Sequence, residues 1–179
     1  MLNNGFNMND HLSLISKFVD KKSLMAIVMF TQSVIAAEEA FIQFESIRNN
    51  KTIPAPTKAM RSLAYARYFC EACGWCALAL RRLRHDDEKH FSGVLLDNKK
   101  HIDSLYNVRI EVNHKYNEEL IDAYVNSNYD NQRHQKNLAF NYSIAPEGVG
   151  FRIGTLEISM VSQLASMKKI ETDLLGLNQ

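Results

Sequence analysis

The stretch that decides the fold is SLMAIVMFTQSVIAAEEAFIQFESIR, which runs from Ser23 to Arg48. Its apolar residues recur at intervals of three and four, a spacing that is typical of an amphipathic α-helix. They are Leu24, Ile27, Val28, Val34, Ile35, Phe41 and Ile42. Because polar residues from Thr31 to Glu39 interrupt the apolar run, the stretch predicts a buried helix of a bundle rather than a membrane span.

A proline-containing break and a second long helix follow. Pro54 and Pro56 cannot continue a helix, so the first long helix is expected to end before them. Thr57 is a suitable N-cap, and the pattern that follows predicts a helix to about His85. Its apolar positions are Leu63, Ala66, Phe69, Cys70, Cys73, Ala77 and Leu80.

The remaining chain predicts further helices and one small β-hairpin. A short helix is expected over residues 9–20, and another helical stretch over 94–124, with a break near Lys99–Asp103. Alternation over 138–144, turn residues at 146–150 and Phe151–Ile153 predict the hairpin. A final helix is expected from about Thr155 to Leu175, before Gly176.

The fold class predicted is therefore mainly α. We expect an up-and-down bundle of four to five long helices with a small C-terminal β-hairpin and a final helix. The 179 residues predict a single helical domain, 1–179, with a bundle core at about 23–125 and the hairpin and final helix at about 138–176.

Composition limits the classes of function. The net charge of +1 gives no overall electrostatic signature of nucleic-acid binding, although residues 58–90 hold seven Lys and Arg against four carboxylates. A solvated helix face is the interpretation of that excess, and a basic edge is the alternative. The N-terminus has neither a basic nor an apolar leader region, so a cytoplasmic protein without a membrane segment is expected.

The cysteines and charged clusters are weak candidates for a metal site. Cys70, Cys73 and Cys76 have no fourth partner, and successive thiols rotate by about 60° around a helix. We therefore interpret them as buried thiols, and the segment His85–His90 as an exposed charged turn. Glu38 is expected to be partly buried against an arginine. No metal and no cofactor are expected, and a carboxylate metal enzyme is the alternative.

The residues that point to chemistry are Arg109 and His114, which stand in a helical segment with four residues between them. An imidazole can accept a proton from a ribose 2′-hydroxyl or donate one to a leaving 5′-oxygen. A guanidinium can stabilise the negative charge that develops around the phosphorus. Asn113 can orient the phosphate or the imidazole. These are the catalytic groups that a metal-independent ribonuclease requires.

Helix geometry restricts how these residues can meet. Five positions separate Arg109 and His114, which corresponds to about 140° of rotation and about 7.5 Å of rise. The two side chains converge only if the helix is distorted or if a two-fold partner supplies one of them. The segment also has two apolar stripes, which predicts contact with a second layer, either the hairpin or another copy of the chain. One stripe is Leu105, Val108, Val112, Tyr116 and Leu120, and the other is Tyr106, Ile110 and Ile121.

The segment Arg109-Ile110-Glu111-Val112-Asn113-His114, on a late helix of a bundle, resembles the signature of the HEPN superfamily, and Met60–Ala72 is similar to the core helix before it. The resemblance implies a helical bundle that dimerises through its motif helices. For active members it implies metal-independent RNA cleavage at the dimer cleft, with Arg109 and His114 as catalytic residues and Asn113 as a looser match.

The same resemblance implies a class of partners. Active members serve as toxins, antiviral effectors or RNA processors, so RNA and a cognate antitoxin or other protein are the expected partners of a homodimer. One position departs from the pattern, because active members usually carry Asn, Asp or His after the arginine and this chain has Ile110. The alternative is therefore a non-catalytic helical dimer that binds a protein or a nucleotide.

Overall fold

The computed structural model describes residues 20–86, 88–110, 141–145, 148–153 and 156–176. In these ranges the helices are α1 (Lys21–Asn49), α2 (Ala55–Asp86), α3 (Glu88–Asp97), α4 (Lys99–Arg109) and α5 (Met160–Gly176). The strands are β1 (Asn141–Ala145), β2 (Gly148–Ile153) and β3 (Leu156–Ser159). The mainly α class predicted from the sequence is confirmed. The helix predicted over 9–20 lies outside the described residues, apart from Asp20.

Helix α1 begins at a well-formed cap. The Asp20 carboxylate accepts hydrogen bonds from the backbone N–H of Lys22 at 2.7 Å and of Ser23 at 3.2 Å. The Ser23 hydroxyl donates to the same carboxylate at 2.7 Å. These bonds satisfy amide groups that have no partner within the helix, which is why α1 starts at this point.

The buried face of α1 differs from the predicted one. Ile27, Phe30, Val34 and Phe44 are buried, together with the small residues Ala26, Ala37 and Ala40, whereas Ile35 and Ile42 are 42% and 55% exposed. The prediction that placed Ile35 and Ile42 on the core face was therefore wrong. The buried face is instead the one that carries the three alanines, whose small side chains suit close packing. By length and composition α1 could also cross a membrane, and 44% of its most apolar window is buried inside the protein.

Helix α2 returns along α1 after a short connection. It begins at Ala55, so Pro56 lies in the first turn, where its missing N–H is no loss, and the N-cap predicted at Thr57 was wrong. The helix reaches Asp86, and α3 begins at Glu88. The segment His85–His90, predicted as an exposed charged turn, is therefore mostly helical. Its residues belong to the end of α2 and the beginning of α3.

A buried asparagine separates α3 from α4. Asn98 is fully buried, and its amide nitrogen donates to the Val94 carbonyl at 3.0 Å and to the Asp173 carboxylate at 2.7 Å. The break predicted near Lys99–Asp103 falls one residue earlier. The predicted stretch 94–124 starts earlier as well, at Glu88, and residues 111–124 lie outside the described residues.

The predicted hairpin is part of a three-stranded antiparallel sheet of order β1-β2-β3. Tyr142 pairs with Phe151, and Phe151 pairs in turn with Ile158. The final helix therefore begins at Met160, and its predicted start at Thr155 was wrong. Leu156–Ser159 alternates in the manner of a strand, buries Ile158, and ends at Ser159, whose hydroxyl accepts the Ser162 N–H at 3.2 Å.

Helix α5 closes the core. It buries Met160, Met167, Ile170 and Leu174, while Val161 is 40% exposed. Lys168 of this helix forms an ion pair with Glu38 of α1. The partner of Glu38 is thus a lysine of the last helix rather than an arginine.

Candidate functional site

Of the predicted site residues, the structure describes Arg109, at the end of α4, but not Asn113 or His114. Arg109 is the last residue of that helix and is partly exposed, and Ile110 directly after it is 44% exposed. His114 and Asn113 lie outside the described residues, as do four of the eight members of the two predicted apolar stripes. Of those stripes, Leu105 and Val108 are buried as expected. The site is therefore built from the surroundings of Arg109.

Helix α4 is held by both apolar and polar contacts. Leu105 and Val108 enter the core, which fixes the rotation of the helix. Hydrogen bonds from the same face join the helix to α5: Gln163 donates to the Ser104 hydroxyl at 2.6 Å, and the His101 ring lies 2.8 Å from the Ser166 hydroxyl. With the Asn98–Asp173 bond, these contacts fix the position of Arg109 relative to the rest of the bundle.

Tyr106 lies one helical turn before Arg109 and packs against the core. Burial raises the pKa of its phenol, while the positive charges of Arg81, Arg109 and Arg84 act in the opposite direction. All three guanidinium groups are therefore within electrostatic reach of one phenol. We call Arg81, Arg84 and Arg109 the arginine cluster.

The arginine cluster joins two elements. Arg81 and Arg84 are exposed near the end of α2, and Arg109 ends α4. Four ion pairs link described residues, namely Arg48–Glu45, Arg67–Glu71, Lys168–Glu38 and Lys169–Asp173, and none involves the cluster. No described carboxylate therefore neutralises it by direct contact. A guanidinium group can bind a phosphate through paired hydrogen bonds.

Sequence reasoning missed the link between Arg109 and the two arginines of α2. The signal that could have found it was the basic excess in residues 58–90, interpreted mainly as a solvated face. What the sequence did not give was the rotation of α2, which places Arg81 and Arg84 beside α4 and other basic residues elsewhere.

The interpretation of the three cysteines as buried thiols is confirmed. Cys70, Cys73 and Cys76 have no measurable exposure, and burial raises the pKa of each thiol well above its ordinary value. The Cys76 sulfur contacts the Met167 sulfur at 3.5 Å. These thiols are therefore core residues. Across the described ranges, no group of three or more His, Cys, Asp or Glu residues is arranged to bind a metal ion.

The chain was compared with protein-family models, with curated proteins and with solved structures, and none of the three comparisons gave a match.

Proposed function

We propose that this chain is a HEPN-like, metal-independent endoribonuclease that acts as a homodimer, with Arg109 and His114 as catalytic residues. The observation that carries the proposal is the arginine cluster, in which Arg109 shares the surroundings of Tyr106 with Arg81 and Arg84. Since the net charge is only +1, this concentration of cations is a local feature of the fold. RNA, with one phosphate per nucleotide, is the ligand class that suits it.

The proposed reaction needs one acid–base group and one cation. The His114 imidazole takes the proton of a ribose 2′-hydroxyl, the 2′-oxygen forms a bond to the adjacent phosphorus, and the bond to the 5′-oxygen breaks. The His114 imidazolium that results then donates a proton to the leaving 5′-oxygen. Arg109 stabilises the extra negative charge on the phosphoryl oxygens, and Asn113 orients the phosphate.

A second copy of the chain completes this arrangement. Arg109 and His114 would differ by about 140° in azimuth on a straight helix, so one subunit supplies the arginine and its partner supplies the imidazole. Arg81 and Arg84 act as positioning residues in this proposal, because they hold the RNA backbone beside Arg109 without contacting the reacting atoms.

The test is cleavage of a structured RNA in EDTA by the wild type and by three variants. We expect His114→Ala and Arg109→Ala each to lower the rate by at least about 100-fold, as is usual for an acid–base group or a charge-stabilising donor. The control is Lys168→Ala, which removes an exposed cation of α5 and should leave the rate unchanged. Equal rates for the wild type and His114→Ala, or no cleavage by either, would refute the proposal.

A second candidate is a non-catalytic helical dimer that binds a protein or a nucleotide. It is favoured by Ile110, an apolar side chain that is 44% exposed directly after the arginine. Ile110→Asp should then convert a dimer into a folded monomer in sedimentation experiments, while the wild type shows no RNA cleavage. A wild type that remains monomeric at micromolar concentration would rule this candidate out.

A further inference from the structure

One face of α2 carries four exposed residues in a line, each seven positions after the last. They are Arg61, Tyr68, Trp75 and Arg82. Seven residues make nearly two helical turns, so neighbours in the line are about 10 Å apart and the line drifts by only about 20° per step. We call this line the arginine–aromatic row.

The two aromatic rings of the row are open to solvent, and the Tyr68 ring is held by a neighbouring ring. Tyr68 is 56% exposed and Trp75 is 55% exposed, although side chains of this size usually lie mostly inside a protein. The Tyr68 ring meets the ring of Tyr65 edge to face, with 5.9 Å between centroids, and Tyr65 packs against the core. A ring fixed in this way loses little entropy when a flat ligand stacks on it.

The positive charge around the row favours a polyanionic ligand over a second copy of the chain. Helix α2 carries six Lys and Arg residues but two carboxylates, and one of these, Glu71, forms an ion pair with Arg67 at 3.1 Å. A second copy packed antiparallel on the row would bring Arg61 against Arg82. A polyanion with flat, unpaired bases matches both the arginines and the rings, because each base offers a face for stacking and each phosphate a negative charge.

We propose that the arginine–aromatic row binds single-stranded RNA, with bases stacked on Tyr68 and Trp75 and phosphates held by Arg61 and Arg82. The choice of RNA over DNA rests on the function proposed above. The stacking of bases is argued from the exposed rings of Tyr68 and Trp75 and does not depend on that function. The row is about 31 Å long, which suits the roughly 4–16 nucleotides of other single-strand sites. Arg82 adjoins Arg81 in the chain, so RNA bound along the row leads to the arginine cluster.

Trp75 makes the proposal measurable, since it is the only tryptophan of the chain. A uridine 12-mer is titrated into the His114→Ala protein in EDTA, so that the RNA is not consumed. Stacking should quench the tryptophan fluorescence, whereas the same 12-mer paired with its complement should leave it unchanged. By anisotropy of a labelled 12-mer, Tyr68→Ala and Trp75→Ala should each weaken binding by about tenfold or more.

Two further variants control for general effects. Trp75→Leu keeps apolar area but removes the stacking face, so it should weaken binding as much as Trp75→Ala. Met60→Ala removes a 72% exposed side chain from the same helix and should bind as the parent protein does. Absence of quenching, or equal weakening by Met60→Ala, would overturn the proposal. Emission that shifts with protein concentration without RNA would overturn it too, and would assign the row to an interface between copies.

The outcomes separate this inference from the proposed function. Quenching by the 12-mer without cleavage of any RNA by the wild type supports the row and removes the endoribonuclease. Cleavage that depends on His114 but is unaffected by Tyr68→Ala and Trp75→Ala, with no quenching, removes the row alone.

Discussion

Tyr106 is the residue at which the charge of the arginine cluster can be measured. Burial raises the pKa of its phenol, and the three cations oppose that rise. Removing a cation should therefore raise the pKa further. We expect Arg81→Ala to increase the Tyr106 pKa, as followed by the ¹³Cζ resonance of labelled tyrosine assigned with Tyr106→Phe. Arg61→Ala, on the other face of α2, is the control and should leave this resonance unchanged. No change with Arg81→Ala would place Arg81 outside the cluster.

The three cysteines lead to a second prediction at the residue scale. Because burial keeps their pKa values high, the thiolate form that reacts with electrophiles is almost absent in the folded protein. We expect no labelling by a maleimide in the native protein and labelling of three thiols after denaturation in urea. Cys76→Ser should lower the free energy of unfolding by about 1–3 kcal/mol, because it buries a hydroxyl in an apolar site. Rapid labelling of the native protein would contradict this account.

At the scale of elements, α1 shows what the spacing of apolar residues can and cannot predict about a helix. Its position and length were predictable, since apolar spacing and the two following prolines mark both. The face that it buries was not, because apolar residues occur on nearly all sides of this helix. The buried face is the one that carries Ala26, Ala37 and Ala40, whose small size matters only once other elements pack against them. A helix pattern reports hydrophobicity, whereas close packing depends on the partner.

That choice of face can be tested by two substitutions on α1. Ala37 has no exposure and lies against neighbouring side chains, so Ala37→Leu should lower the free energy of unfolding by about 1–3 kcal/mol through overpacking. Ile35, one of the residues placed on the core face by spacing, is 42% exposed, so Ile35→Ala should change it by less than about 0.5 kcal/mol. Urea denaturation gives both values, and the reverse order would restore the face predicted from spacing.

The junction of α3, α4 and α5 predicts a dependence on pH. Hydrogen bonds from Lys169 and then Asn98 lower the pKa of the Asp173 carboxyl. A carboxyl with a lower pKa in the folded state stabilises the protein above its unfolded pKa, and that stability is lost as the pH falls through the folded value. We therefore expect Asp173→Asn to flatten the fall of the urea midpoint below about pH 4. Asp103→Asn, an exposed site on α4, is the control, and identical acid limbs for the wild type and Asp173→Asn would disprove the linkage.

At the scale of the whole molecule, the fold divides the basic residues of α2 into two sets. The sequence indicated their number, and it placed Arg109 on a late helix. It could not show that Arg81 and Arg84 lie beside α4 while Arg61 and Arg82 lie on the face of α2 that points away from the core, because that division follows from which face of α2 enters the core. A chain with a net charge of +1 can therefore still present concentrated positive charge to a ligand.

The salt dependence of RNA binding should reveal this local charge. The three arginines of the cluster should contribute about −2 to the slope of log K for single-stranded RNA against log salt concentration, or about 0.7 for each phosphate contact. In the His114→Ala background, we expect Arg81→Ala and Arg84→Ala each to reduce the magnitude of the slope by about 0.7. Lys168→Ala, whose ammonium pairs with Glu38, should leave it unchanged. If all three variants shift the slope equally, RNA responds to the charge of the whole protein and the arginine cluster is not a binding site.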